Sequence, residues 1–253
     1  MAILVDLSKK AKVSLEKKNI FGEKAEVVLY MDTSISMERR YQNGTVQNVV
    51  ERLLGLAMNL DDNESIDVCG FDVKLTEAPN ATPANHASYV DDILLKKVKQ
   101  LGGGTHYAPA IRKAISDYGN KPETVAPVPA AKGFLSKLLG KNQPAPNSTP
   151  LKPRKMPVYI LFVTDGENQD RAATEAAIKE ASRHGIFFQF VGIGNEQFNF
   201  LQKLDDLQDR VIDNADFFKI SDITSMSDEE LYDRILNEFP SWLNEARSKG
   251  ILE

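Results

Sequence analysis

Apolar residues in this chain fall into two alternating patterns. Short unbroken runs at about 26–31, 66–71, 158–163, 187–193 and 215–220 read as strands buried on both faces. Between them lie stretches with a period near 3.6. The longest covers 45–60, where Val46, Val49, Val50, Leu53, Leu54, Ala57 and Leu60 share one helix face. Shorter helices are predicted at about 89–99, 109–118, 172–184 and 196–204. A last helix opens on a capping box, Ser227 with Glu230, carries the stripe Leu231, Ile235, Phe239, and is interrupted or restarted at Pro240. The run 73–76 follows 66–71 almost at once and reads as the second arm of a hairpin on a sheet edge. Residues 1–23 are lysine-rich, with a weak alternation at Val13-Ser14-Leu15 that predicts a short strand.

Strands that alternate with helices imply a mostly parallel sheet covered on both sides. The expected fold is α/β, a three-layer, doubly wound, six-stranded sheet with one antiparallel edge strand, in one domain over 24–250 preceded by a basic extension, 1–23. The pattern breaks at about 119–156. Between Asn120 and Pro157 the chain holds seven prolines and seven Lys or Arg against the single acid Glu123, which marks a basic, loop-like insertion. Within it, residues 134–139 could form one or two amphipathic turns, expected to pack on their own domain.

Composition changes this picture little. The chain has 253 residues, of which 42% are hydrophobic and 26% charged, with a net charge of -5 and a pI near 5.4. The acidic balance argues against nucleic acid as the main partner. One cysteine, Cys69, excludes an internal disulfide and suits a reducing compartment. The first residues are too soon charged for a signal peptide and no run approaches a membrane span, so a cytoplasmic protein is expected.

The candidate chemistry sits where strands end, the usual place for ligands in open α/β sheets. After the first strand come Asp32, Ser34 and Ser36, a carboxylate and two hydroxyls at alternate positions. Thr105 follows three glycines, which are expected to let the backbone approach closely by adopting positive φ. Asp165 follows the strand 158–163. All are oxygen donors suited to a hard cation. Together they resemble the metal-ion-dependent adhesion site of von Willebrand factor A domains, Asp-x-Ser-x-Ser, a later Thr and a later Asp-Gly. The likeness runs from about residue 25 to about 242. It is closest to the branch that includes copines and bacterial tellurium-resistance proteins, through Asn43-Gly44-Thr45-Val46-Gln47, Glu51-Arg52 and Phe239-Pro240. The opening Asp6-Leu7-Ser8-Lys9 with Val13-Ser14-Leu15-Glu16-Lys17 is similar to the start of tellurium-resistance stress domains.

The resemblance implies that Asp32, Ser34 and Ser36 ligate Mg2+, with Mn2+ and Ca2+ as alternatives, that Thr105 joins directly or through water, and that Asp165 acts mainly through water. A partner protein would supply an Asp or Glu to complete the octahedron. The implied function is a non-enzymatic, metal-dependent interaction module in a tellurite or stress response.

Other readings are weaker. A phosphotransferase or hydrolase using Asp32 as nucleophile would need an acid two residues on, where this chain has Ser34. A membrane-peripheral scaffold could use the basic N-terminus and insertion. Asp61, Asp62 and Glu64 lack calcium-loop spacing and read as a solvated turn. His86, His106 and His184 read as packed or exposed, and Cys69 as a small buried hydrophobe. Gly192-Ile193-Gly194 lacks the third glycine of a nucleotide fingerprint.

Overall fold

The computed structural model describes residues 2–123, 150–166 and 168–253. The stretch 134–139 lies outside them. The strands are β1 Glu26–Asp32, β2 Ile66–Phe71, β3 Leu75–Ala81, β4 Val158–Thr164, β5 Ile186–Ile193 and β6 Ala215–Ile220. The helices are α1 Ala2–Lys17, α2 Glu38–Gln42, α3 Thr45–Leu60, α4 Leu95–Val98, α5 Ala108–Tyr118, α6 Arg171–Ala181, α7 Asn199–Asp205, α8 Asp228–Ile235 and α9 Phe239–Ser248. The strands form one sheet in the order β3-β2-β1-β4-β5-β6. Only β3 runs antiparallel, against β2, as the hairpin pattern predicts.

Alternation along each strand decides which core a side chain enters. On β1, Val27, Leu29 and Met31 join one buried cluster with α3, α8 and α9. Val28 and Tyr30 join the other with α5, α6 and α7. β4 and β5 are buried along their whole length, which explains their unbroken apolar sequences. Each large apolar side chain so buried contributes roughly 1.5–3 kcal/mol.

Residues 2–17 are helix, not the expected strand. Leu4, Leu7, Ala11, Ser14 and Leu15 are buried, a helical stripe that a window of three residues could not reveal. Leu4 and Leu7 pack around Leu54 of α3. Gly55 permits the close approach, because a Cβ there would lie 2.6 Å from Leu7 Cβ. Lys10 pairs with Asp228, and the Ser14 hydroxyl donates to Asp233 at 2.6 Å, so α1 is also tied to α8.

Three further expectations need revision. The helix expected at 89–99 is a π-helical turn, Val90–Leu94, followed by the single turn α4. Asp61 is not solvated. Its buried carboxylate accepts from the amides of Val27 at 3.2 Å and Asn63 at 3.0 Å and so anchors the start of β1. The capping box is half formed: Ser227 accepts from the Glu230 amide at 3.2 Å, while the Glu230 carboxylate takes a bond from Arg234. The stems of the insertion are paired, with Glu123 N donating to Pro150 O at 2.9 Å and Lys152 N to Lys121 O at 2.8 Å. They leave the body beside the start of β4, at the sheet edge opposite Asp32 and Asp165.

Candidate metal centre

β1, β2 and β4 run parallel, so the loops after their C-terminal ends share one edge of the sheet, and the triglycine loop between α4 and α5 joins them there. Backbone hydrogen bonds lace these loops together. Gly102 N donates to Thr33 O at 2.9 Å and Ile35 N to Gly102 O at 2.7 Å, joining the triglycine loop to the Asp32 loop. Gln169 N donates to Thr105 O at 3.0 Å, joining the triglycine loop to the Asp165 loop.

The triglycine works by space and not by backbone sign. None of Gly102, Gly103 and Gly104 has positive φ. A Cβ on Gly102 would collide with the Asp72 side chain, and one on Gly104 would lie 2.8 Å from both Gln169 Oε1 and Val73 Cγ1. Around Gly103 there is open space.

Four of the five predicted residues lie in one hydrogen-bonded chain. Asp32 Oδ1 accepts from the Ser34 amide at 2.8 Å. The Ser34 and Ser36 hydroxyls are 3.0 Å apart, and Ser36 donates to Asp165 Oδ1 at 2.8 Å. Thr105 is carried in the adjoining loop, and among the described residues its hydroxyl has no bond to this chain. Asp32 is fully buried, and among the described residues its carboxylate meets neutral donors alone, the second being Thr164 Oγ1 to Oδ2 at 2.6 Å. Burial above all pushes its pKa from 3.8 to about 6, against the lowering effect of these hydrogen bonds.

Several residues that order the site were missed from sequence. Tyr107 OH reaches Thr164 Oγ1 at 3.1 Å and Gly166 O at 2.5 Å, which orients the threonine beneath Asp32. Asp170 accepts from the Tyr107 and Ala108 amides at 3.0 and 2.9 Å and so caps α5, where a carboxylate also meets the positive helix end. Arg40 donates to Asp165 Oδ2 at 2.6 Å. The Arg39-Arg40 pair just after the motif was a visible signal, but nothing local says which carboxylate it would meet.

The mouth is an open depression of about 680 Å3 lined by Ser36, Arg39, Arg40, Asp165, Gly166, Glu196 and Gln197. Ile35 and Val73, two exposed apolar side chains, stand on the loops beside it, 56% and 47% exposed. Elsewhere Cys69 is buried, its thiol pushed up to about 12 mainly by that burial, so it is no nucleophile. His184 is a packed histidine whose Nδ1 accepts from Asn120 N at 2.9 Å. Among the described residues no helix is long and apolar enough to cross a membrane.

The donor set fits a hard cation: a buried carboxylate without a cationic partner among the described residues, two hydroxyls and a second carboxylate, with oxygen as every ligand atom.

Comparison with known proteins supplies the family. The chain is 37% identical over 249 residues to Bacillus subtilis "Uncharacterized protein YcbR", covering 98% of this chain and 90% of that one. Among solved structures it resembles the ArnB paralog VWA2 from Sulfolobus acidocaldarius at 14% identity and a TM-score of 0.44, over 87% of this chain and 44% of that one. It resembles the SpRpn10 VWA domain at 12% identity and a TM-score of 0.47, over 85% and 95%. The family model for the von Willebrand A domain found in the TerF C terminus matches residues 24–128 and 147–252. This chain is therefore a member of the vWA-TerF-like family.

Proposed function

We propose that the chain binds an acidic residue of a protein partner through a divalent cation, Mg2+ foremost, held by Asp32, Ser34 and Ser36. Thr105 and Asp165 would complete the shell directly or through water. Von Willebrand A domains are in general protein-interaction modules, and this reading makes the strand-end loops the binding face. The observation that carries it is Asp32: a fully buried carboxylate, beside a pair of hydroxyls, with no guanidinium or ammonium to neutralise it among the described residues.

The cation would supply a point of attachment for a carboxylate oxygen. Arg39 at the mouth offers a positive charge to an acidic ligand, with Arg40 already paired to Asp165 and Glu196 opposing, and exposed Ile35 and Val73 offer apolar contact around it. Ser34 stands where a phosphotransferase would need its acid, and its hydroxyl cannot serve as one near neutral pH, so the reading is non-enzymatic. The setting we propose is a tellurite or related stress response, in line with the family.

Calorimetric titration of Mg2+, Mn2+ and Ca2+ into metal-free protein tests the site, beside Asp32→Ala and Thr105→Ala. Binding lost in Asp32→Ala and weakened in Thr105→Ala supports it, as does acetate that binds only in the presence of metal. Failure to bind metal at millimolar concentration, with and without added acetate, would overturn it.

A further inference from the structure

At the starts of β4 and β5, the sheet edge opposite Asp32, lies a second open depression of about 750 Å3. It is formed by the last turns of α5 and α6 and by the chain on either side of the insertion. Its lining combines apolar Ile115 and Leu151 with basic Lys121, Lys179 and Arg183. Both its size and this mixture of apolar wall and convergent polar groups are those of small-molecule sites.

The depression is built on fixed parts. Buried Asn120 donates its side-chain amide to Ile251 O at 2.8 Å and Lys152 O at 3.1 Å, and its side-chain oxygen accepts from Gly185 N at 2.8 Å. Its backbone amide donates to His184 Nδ1 at 2.9 Å. His184 lines the depression and is 8% exposed. Because Nδ1 accepts, the neutral ring carries its proton on Nε2. Among the described residues that N–H has no hydrogen-bond acceptor. Burial above all, then the charges of Arg183 and Lys121, push the ring's pKa down to about 4, so it remains a neutral donor at pH 7.

We propose that Arg183, Lys121 and His184 Nε2 form a second binding site, for a phosphate monoester whose ester group rests on Ile115 and Leu151. Arg183 and Lys121 have no ion pair among the described residues. Lys179 meets exposed Asp209 at 3.1 Å, a pair that solvent weakens. A phosphate directs three terminal oxygens apart and takes charge-assisted bonds from a guanidinium fork and an ammonium. A carboxylate, with two oxygens in one plane, matches the three donors less well. Two features oppose an anion: Glu180 in the same lining, and the carbonyl ends of α5 and α6. Glu180 is exposed, and the carbonyls are engaged, Tyr118 O by Arg154 at 2.7 Å and Ala181 O by the His184 amide at 2.9 Å. Glu180 and Asp209 set against three cations leave the depression net positive.

The test titrates inorganic phosphate into the metal-free full chain at pH 7.5 and follows the nitrogen chemical shifts of the imidazole rings. The His184 signal is assigned by its loss in His184→Gln. Wild type should show a saturable shift of that signal at millimolar phosphate and none in chloride at matched ionic strength. Arg183→Gln and Lys121→Gln should each weaken binding by roughly tenfold or more. Glu180→Gln should tighten it by about two- to fivefold. Arg39→Gln, at the other edge of the sheet, should change nothing, which keeps this outcome separate from the fate of the first site. No saturable shift in wild type, an equal response to chloride, or affinity unmoved in both cation variants would overturn the proposal. Co-sedimentation with vesicles containing phosphatidic acid, lost in Arg183→Gln, would assign the phosphate to a lipid headgroup. Binding of glycerol 3-phosphate in solution without co-sedimentation would assign it to a soluble ester.

Discussion

The Arg40 guanidinium grips the Asp165 carboxylate at 2.6 Å with one terminal nitrogen and the Ile193 carbonyl at 2.8 Å with the other. Asp165 is 4% exposed and Arg40 24%, so solvent screens the pair only in part. Of the two negative charges at the candidate centre, Arg40 therefore cancels one, and a divalent cation there would keep an excess positive charge for an incoming carboxylate. Arg40→Gln should tighten Mg2+ binding in the absence of ligand by about tenfold, through lost repulsion at short range. The same change should weaken metal-dependent capture of an acidic peptide. Titrations with metal alone and with metal plus peptide separate the two effects, and movement of both in the same direction would contradict the account.

Asp32 carries an electrostatic cost. Its folded pKa of about 6 lies above the ordinary 3.8, so the folded state binds its proton more tightly than the unfolded state does. Stability from this group is full below about pH 4 and is lost as pH rises through 6. Asp32→Asn should accordingly stabilise metal-free protein at pH 7.5 by roughly 1–3 kcal/mol, as burial of the charge is removed, while metal binding disappears. Denaturant unfolding at pH 7.5 and pH 5 checks this, since the gain should shrink at the lower pH.

Gly102 and Gly103 should respond differently to the same substitution. Gly103→Ala meets open space and neither residue has positive φ, so its metal affinity and stability should stay near wild type. Gly102→Ala pushes a methyl group into the Asp72 side chain and should shift the loop that carries Thr105. We expect it to cost about 1–3 kcal/mol and to weaken metal binding. Equal behaviour of the two variants would argue against close approach as the role of the triglycine.

His184 sets an acid limit. Burial pushes its pKa from 6.5 down to about 4, because a proton would charge a desolvated ring whose Nδ1 already accepts from Asn120 N. The unfolded chain binds that proton more readily, so this contribution is present above about 6.5 and is lost as pH falls toward 4. His184→Gln should lose less stability between pH 7 and pH 4.5 than wild type does, as read from thermal midpoints.

The first helix is a structural part of the body. Leu7→Ala should destabilise by about 2–4 kcal/mol through lost burial and the cavity left behind, with metal binding at 20 °C unaffected. Differential scanning calorimetry reads the first and titration the second.

Much of this molecule was legible along the chain. The period-2 and period-3.6 patterns are local consequences of side-chain direction, so the strands, the hairpin and α3 could be read without knowing what they touch. Asp32, Ser34 and Ser36 were legible because their spacing lies within one loop, and Asp165 because it follows a strand of unmistakable apolarity. What the window missed was long in period: Leu4, Leu7, Ala11 and Leu15 make a helix only when counted over about three turns.

Only the tertiary structure decided which groups meet. Arg40 and Asp165 are 125 positions apart, and Thr164 reaches Asp32 across 132. The order β2-β1-β4 brings their loops together, a consequence of how the strands pair. The same holds for Asp170 beneath α5 and for His184 beside Asn120. A hydrogen bond or a charge pair depends on distance in space, which the chain sets only once its cores have closed, whereas burial of a face is announced by every residue on it.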